Sequence, residues 1–398
     1  MLAAPYKRIL ASRAARLPIV ATAIDRLPVA AMSLSVILLV RGETGSFAVA
    51  GLVEATFAIA LAVSLPMQGR LVDRLRQTRV LSVALLLNPI ALIALVLAAR
   101  AGVGAVPLAV IGVACGATVP ATGSCMRTLW PSLFPDTNLR QAAYAIDAVL
   151  IEVAFVVGPL VTATLVAVGS PTVAVLANAV FTAVGTLLFV ISRASRSWRG
   201  QPQSGHWAGP LRSRGILGLL SVELTFGIAL GAMEISITAF ATQHGSASLA
   251  GVLIAVQAAA SMAGGLWYGS RRHSGHAADR YARLCLFLAL GFCTLLLATS
   301  PLEALPLMAL SGFSLAPAGT VLFGLVEDLA PRGTVTEAFT WMITSVAGGA
   351  ALGSAIGGVL VTGGHPHRGL AATALAALLS CAAAYLVRPH LRLAARTA

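Results

Sequence analysis

Apolar residues run for some twenty positions at a time along most of this chain, and polar residues gather in short segments between them. Windows of about 19 residues pick out twelve such stretches, at residues 17–40, 47–68, 79–99, 103–126, 142–168, 171–192, 215–241, 247–270, 281–299, 303–326, 335–362 and 369–387. Each is long enough to cross about 30 Å of hydrocarbon as a helix rising 1.5 Å per residue. Strands do not fit: a membrane-barrel strand alternates apolar and polar residues over about ten positions, whereas Leu92-Ile93-Ala94-Leu95-Val96-Leu97 does not alternate. The pattern predicts an all-α, polytopic membrane protein with twelve transmembrane helices.

The longest polar segment, 193–214, separates the sixth stretch from the seventh and contains Ser195, Arg196, Arg199, Gly200, Pro202, Gly205 and Pro210. It is too short for a soluble domain and reads as a flexible basic linker lying against headgroups. The chain therefore divides into an N-terminal six-helix bundle over 1–192, a cytoplasmic linker over 193–214 and a C-terminal six-helix bundle over 215–398. The two halves echo each other. Ser46, Gly51 and Gly69 recur as Ser246, Gly251 and Gly269, while Ala143-Tyr144 and Gly158-Pro159 align with Ala338-Phe339 and Gly353-Ser354 about 195 positions on. Two pseudo-symmetric bundles with a binding site between them follow from this layout, an architecture of transporters.

Charge sets the orientation. Of 27 lysines and arginines, 23 fall in segments on the side of the first residue, and only Arg41, Arg100 and Arg368 fall in the loops opposite. Both ends are therefore expected in the cytoplasm. The bias to arginine and alanine suits a GC-rich bacterial genome, which makes the membrane the bacterial inner (plasma) membrane. The basic start, with Lys7, Arg8, Arg13 and Arg16, leads into a full span without a small-residue cleavage site, so no signal peptide is expected.

Composition removes several function classes. Only 10 % of the 398 residues are charged, against about 25 % in soluble proteins. Lys7 is the single lysine and lies in a Lys-Arg-Ile context, so the chain has no Gly-Lys-Ser/Thr phosphate loop and is not its own ATP motor. A net charge of +13 would suit nucleic acid, but the arginines sit between apolar spans and no nucleic-acid partner is expected. Cys115, Cys125, Cys285, Cys293 and Cys381 lie within or beside apolar runs without a CxxC pair and read as small buried hydrophobes. His206, His244, His273, His276, His365, His367 and His390 fall in loops or tails, and His365-Pro366-His367 lacks further ligands. No metal and no cofactor is expected. HExxH and GxSxG are missing, so the chain does not read as an enzyme.

Between the second and third stretches the chain reads Gly69-Arg70-Leu71-Val72-Asp73-Arg74-Leu75-Arg76-Gln77-Thr78-Arg79. A tight turn beside packed helices favours Gly69; the Asp73 carboxylate suits the positive end of a neighbouring helix, and Arg74 suits an acid or helix-end carbonyls. The segment resembles the loop signature of the major facilitator superfamily, G-x-L-(small)-D-R-x-G-R-(K/R)-(K/R). Gly69, Leu71, Asp73, Arg74 and Arg79 match, while Arg76 replaces a glycine and Thr78 a basic residue. The resemblance implies that family's fold, with Gly69, Asp73 and Arg74 latching the halves together in the outward-facing state opposite Thr334 to Glu337. In the second half Gly269-Ser270-Arg271-Arg272-His273 carries His273 where the acid would stand, which predicts a weaker latch.

Two further segments bear on the resemblance. Gly158-Pro159 is similar to the core of a motif of the family's proton-coupled antiporters, with Ala154, Thr162 and Ala163 where other glycines stand. On the residues alone it is equally a proline kink with close helix contact. The arginine that drug antiporters of the family carry within the fourth span is not found; Arg127 lies at the cytoplasmic end of that stretch.

Ionisable residues inside the stretches are few, and each costs at least ~2.5 kcal/mol near a helix centre. Asp25 and Arg26 lie ~100° apart around the first helix, either converging on a cavity or forming a neutralised pair that orients it. Arg26 is the one basic residue expected within the hydrocarbon. Glu54 lies in the second stretch, and Asp147 and Glu152 lie ~140° apart in the fifth. Glu223 and Glu234, about three turns apart on one face of the seventh, form two stations for a proton. Together these residues predict a secondary active transporter working by alternating access: proton-coupled efflux (antiport) of a drug or metabolite. Glu54, Asp147, Glu152, Glu223 and Glu234 are the proton-carrying candidates, and Asp25 and Arg26 serve substrate or coupling. Proton-coupled nutrient uptake fits as well, as does a non-transporting receptor or scaffold. The expected partners are a small-molecule substrate, protons and the lipid bilayer, and the protein is read as a monomer.

Overall fold

In the absence of water a backbone must satisfy its own polar groups, so long uncharged runs resolve into helices. The computed structural model describes residues 4–200, 208–244, 248–362 and 365–394; Ser246, His206 and the rest of 201–207 lie outside the described residues. Among the described residues sixteen α-helices follow one another: α1 (Ala4–Ala11), α2 (Arg13–Thr44), α3 (Phe47–Arg74), α4 (Gln77–Arg100), α5 (Ala105–Ala117), α6 (Thr122–Leu133), α7 (Thr137–Val168), α8 (Pro171–Ile191), α9 (Arg193–Ser197), α10 (Arg214–Gln243), α11 (Ser248–Gly269), α12 (Ala277–Thr294), α13 (Pro301–Gly312), α14 (Leu315–Leu329), α15 (Val335–Val361) and α16 (Pro366–Ala394). Twelve segments among the described residues are long and apolar enough to cross a membrane, with α5–α6 and α13–α14 each forming one interrupted span. Helix ends overrun the apolar stretches because the backbone ladder continues into the headgroup zone: the first stretch, 17–40, lies inside a 32-residue helix.

The spans form two six-helix bundles with the same packing plan. In the first, α2 packs on α7 and α8, α3 on α5, and α4 on α8. In the second, α10 packs on α15 and α16, α11 on α13, and α12 on α16. The inner seams of the two bundles differ chemically. α10 and α15 approach through small residues: a Cβ on Gly231 would stand 2.0 Å from the Ala350 carbonyl oxygen, and one on Gly353 2.1 Å from that of Ile228. Such closeness lets backbones pack tightly where lipid supplies no hydrophobic drive. The matching α2–α7 seam carries charges instead.

Twelve crossings return the chain to one face, called here the terminal face. There a single apolar core cluster draws on both halves, including Tyr6, Trp130, Tyr144, Phe323 and Phe339. Towards the opposite face the core splits. One cluster, with Val36, Phe57, Leu92 and Val175, belongs wholly to the first half, and another, with Met233, Phe240, Phe292 and Met308, wholly to the second. The halves are thus packed together at the terminal face and separate towards the other.

At both described ends the linker packs on the rest of the protein. Ala194 and Ser195 are buried, and the Ser195 hydroxyl donates to Gln77 Oε1 at 3.4 Å. A Cβ on Gly200 would stand 2.2 Å from the Asp73 carbonyl oxygen, and one on Gly209 2.7 Å from Glu337 Oε2. Both described ends of the linker therefore lie against the junction of the halves, held by backbone that approaches too closely for a side chain.

Candidate functional site

The junction is built on two helix pairs related by the internal repeat, α3 with α15 and α7 with α11. At the first, Asp73 ends α3 against the N-terminus of α15. Its carboxylate accepts from the backbone N–H groups of Thr336 (3.2 Å) and Glu337 (2.9 Å), where unpaired amides and the helix dipole favour a negative charge. Arg70 donates to both oxygens of Glu337, at 3.1 and 2.5 Å. Gly69 has Thr340 Oγ1 and Glu337 Cα within 2.6 and 2.8 Å of where a Cβ would stand. Arg74, next to Asp73 in the loop motif, is exposed at the last position of α3. Arg70, in the motif's variable position, reaches across the junction; it lies one helical turn from Asp73, on the same face.

At the second pair, Gly269 meets Ala142 and Ala145 of α7, the residues that correspond through the 195-residue repeat to Glu337 and Thr340. Among the described residues no carboxylate joins this pair at its end. The hydroxyl of Tyr6, from α1, lies 2.5 Å from the site of a Gly269 Cβ and donates to the Leu266 carbonyl at 2.6 Å. His273, in the place of Asp73, turns back: its ring stacks on Tyr268 at 3.8 Å and its Nε2 bonds the Tyr268 carbonyl at 2.9 Å. Deeper along the pair, Ser261 Oγ donates to Glu152 Oε1 (2.8 Å) and accepts from the Ala316 N–H (3.1 Å) at the start of α14. Glu152 is thereby tied to the other half.

Between the two pairs lies a buried ionic group. Asp147 takes Arg26 Nη2 on Oδ1 at 2.7 Å and Arg127 Nε on Oδ2 at 2.9 Å, and its carbonyl accepts from Arg26 Nη1 at 2.8 Å. Arg26 is 6 % exposed and Arg127 4 %. The Arg127 guanidinium lies 4.1 Å from the ring centre of Phe323 and 5.7 Å from that of Phe339, both from the second half, an attraction strengthened by burial. This overturns two expectations. Arg26 is not the one buried cation, since Arg127 is as deeply placed; the window that ended the fourth stretch at 126 truncated a span that runs on to Leu133. Nor is Asp25 the ion-pair partner of Arg26; that partner is Asp147, 121 positions away.

The remaining candidates are dispersed. Asp25 accepts from Thr186 Oγ1 at 3.1 Å and faces a cavity inside the first bundle. Ser33 Oγ donates to Glu54 Oε1 at 2.5 Å between α2 and α3, and Glu54 Oε2 is buried without a partner. Glu223 is buried inside the second bundle, accepting from Tyr281 OH at 2.8 Å, whereas Glu234 is exposed. The two acids of α10 therefore occupy unlike surroundings despite their helical spacing. Gly158 is buried in α7, which runs unbroken through Pro159.

A helical membrane protein of two repeated six-span bundles, closed at one face by paired helices with an ionic group between them, has the architecture of a solute transporter. The sequence model described as Major Facilitator Superfamily matches residues 19–284, and the chain belongs to that family. Among solved structures it is similar to a bacterial homologue of the iron transporter ferroportin in the outward-facing state, with a TM-score of 0.77 at 14 % identity over 94 % of this chain and 99 % of that one. It is also similar to the human organic anion transporter MFSD10 (TM-score 0.69, 16 % identity, 96 % and 99 % covered). A third is the E. coli fucose:proton symporter FucP (TM-score 0.71, 13 % identity, 94 % and 99 % covered). At these identities the likeness carries the fold alone. Comparison with curated protein sequences finds no significant relative.

Proposed function

We propose that this protein is a secondary active transporter that exports a small organic compound in exchange for protons, its two halves, 1–192 and 215–398, rocking about a central site. The observation that carries the reading is the asymmetry of the core: one cluster shared by both halves at the terminal face, and separate clusters towards the other. That is the form of one end state of alternating access. The distribution of arginines supports a bacterial inner membrane with the terminal face in the cytoplasm, and on that orientation the state is outward-facing. Gly69, Asp73 and Arg74, with Arg70 beside them, belong to the latch of this state, and Gly158-Pro159 supports the antiport direction.

Among the acids, Glu152 is best placed to couple protons. It is covered by Ser261 of the other half while the junction is shut and loses that cover when the junction opens, so its proton affinity differs between the states, which coupling requires. Asp147, held between two arginines, serves as their counter-charge. Purified protein in liposomes, screened with small organic solutes under an imposed pH gradient, tests the reading. Solute should move against the proton flow, and Glu152→Gln should cut gradient-driven flux by at least about tenfold while exchange of solute for solute persists. Flux indifferent to the gradient would remove proton coupling, and solute moving with the protons would make the protein a symporter.

A further inference from the structure

We infer that the end of α11 and the start of α12, at the terminal face, form a binding site for the phosphate of an anionic phospholipid. The site is independent of the solute that the protein carries. Residues 268–283 contain four arginines, Arg271, Arg272, Arg280 and Arg283, and a single acid, Asp279. That acid is already taken: it accepts from Arg392 Nε at 2.9 Å and from Arg388, both on α16. Among the described residues none of the four arginines makes an ion pair.

Backbone carbonyls and rings hold the cluster in shape. Arg280 Nη1 donates to the His273 carbonyl at 3.0 Å, Arg283 Nε donates to that of Asp279 at 3.3 Å, and the His273 ring covers Tyr268. Other donors are left without acceptors. Arg280 Nε is buried with no partner, and so is the hydroxyl of Tyr268, a residue 5 % exposed. Arg280 and Arg283 both act electrostatically on that phenol, so the three groups share one corner. A guanidinium can only donate, and a cation held from water without a counter-charge is costly. The missing partner is therefore a negative group with several acceptor oxygens. A phosphate supplies them: two of its oxygens match the fork of a guanidinium, and the tetrahedral arrangement leaves others for the phenol, where a planar carboxylate has only two.

Depth assigns that phosphate to a lipid. The span formed by α11 ends at Gly269, one residue past Tyr268, so the donors lie at the level of the headgroups. Trp267 is 47 % exposed, as suits an aromatic side chain at the membrane–water boundary, and the Arg271 guanidinium lies 4.9 Å from its ring centre. Deeper in the span, Ala259 and Ala263 are exposed in the same four-residue register as Trp267 and Arg271. They form a shallow apolar strip for an acyl chain, leading to the basic cluster. Basic pockets at this level of a membrane protein take anionic headgroups.

The test uses the full-length protein, delipidated in detergent and titrated with phosphatidylglycerol, with phosphatidylcholine of the same chains, and with free glycerol 1-phosphate. Bound lipid is counted by native mass spectrometry, and the unfolding temperature is followed in parallel. Phosphatidylglycerol should bind at least about tenfold more tightly than phosphatidylcholine and raise the unfolding temperature, and glycerol 1-phosphate at equal concentration should not displace it. Arg283→Gln, at an exposed position, should weaken phosphatidylglycerol at least about tenfold through loss of a charge-assisted hydrogen bond, and Tyr268→Phe about fivefold. Because the Tyr268 hydroxyl has no partner within the protein, Tyr268→Phe should leave the lipid-free unfolding temperature unchanged and reduce only the rise on adding lipid. Arg332→Gln, an exposed arginine at the same face outside the cluster, should change neither readout. Phosphatidylcholine bound as tightly as phosphatidylglycerol, or equal losses from Arg332→Gln and Arg283→Gln, would reveal diffuse attraction to basic charge and overturn the site. Displacement by glycerol 1-phosphate at equal concentration would overturn the lipid assignment in favour of a soluble phosphate ester.

Discussion

Asp147 is the residue on which the buried charge balance turns. Two guanidiniums share its carboxylate in a buried region, and removing a shared counter-charge strands both. Asp147→Asn is expected to destabilise the fold by about 3–5 kcal/mol, read as a lowered unfolding temperature in detergent, whereas Glu234→Gln at an exposed position should leave that temperature unchanged. His273 tests a smaller effect outside the spans. Burial, with the carbonyl bond to Tyr268 opposing and Arg280 and Arg271 adding to it, holds its pKa below the usual histidine value. The folded state then binds fewer protons than the unfolded one, so the stability it adds is present above a pH of about 6.5 and is lost as pH falls from there towards the lower folded value. His273→Gln should flatten the fall in unfolding temperature over that window. At this scale the sequence exposed which residues are costly to bury, because charge in an apolar run is conspicuous. It did not expose their partners: Arg26 and Asp147 are 121 positions apart, and Arg127 escaped because a serine-, threonine- and arginine-bearing turn lowers the local hydropathy without ending the span.

At the scale of elements, two repeat-related helix pairs close the terminal face by different chemistry. Asp73, Arg70 and Glu337 join α3 to α15; α7 and α11 lack the corresponding acids and are bridged by Tyr6 from α1 and by Glu152. Both pairs depend on a glycine with no room for a methyl group. Gly69→Ala and Gly269→Ala should each open the terminal face, measured as a longer spin-label distance between the halves, while Gly51→Ala and Gly251→Ala, which meet nothing within 4 Å, should leave it unchanged. Tyr6→Phe removes one buried hydrogen bond, about 1 kcal/mol, and should shift the closed-to-open ratio about fivefold towards open. The loop motif and the repeat were legible because each places glycine at a fixed offset. The contribution of α1 was not, since a short basic helix before the first span carries no local sign of what it packs against.

Over the whole molecule, one core cluster spans the halves and two do not, so the closed face is the part that must come apart for the other state to form. Oxidising a cysteine pair at Ala62 and Thr344, joined in the native protein by the Thr344 hydroxyl on the Ala62 carbonyl at 3.1 Å, should stop flux, and reduction should restore it. The docked linker belongs to the same junction through Gly200 and Gly209. By itself the sequence determined the number of spans, the two-fold division and the family, because hydrocarbon thickness, backbone satisfaction and charge asymmetry act on local runs of residues. Only the tertiary structure decided which charges neutralise one another, which acid reaches across the junction, which is left facing a cavity and which face is shut. Those outcomes depend on the rotation and approach of helices far apart in the chain, and residue spacing within a single helix does not contain them.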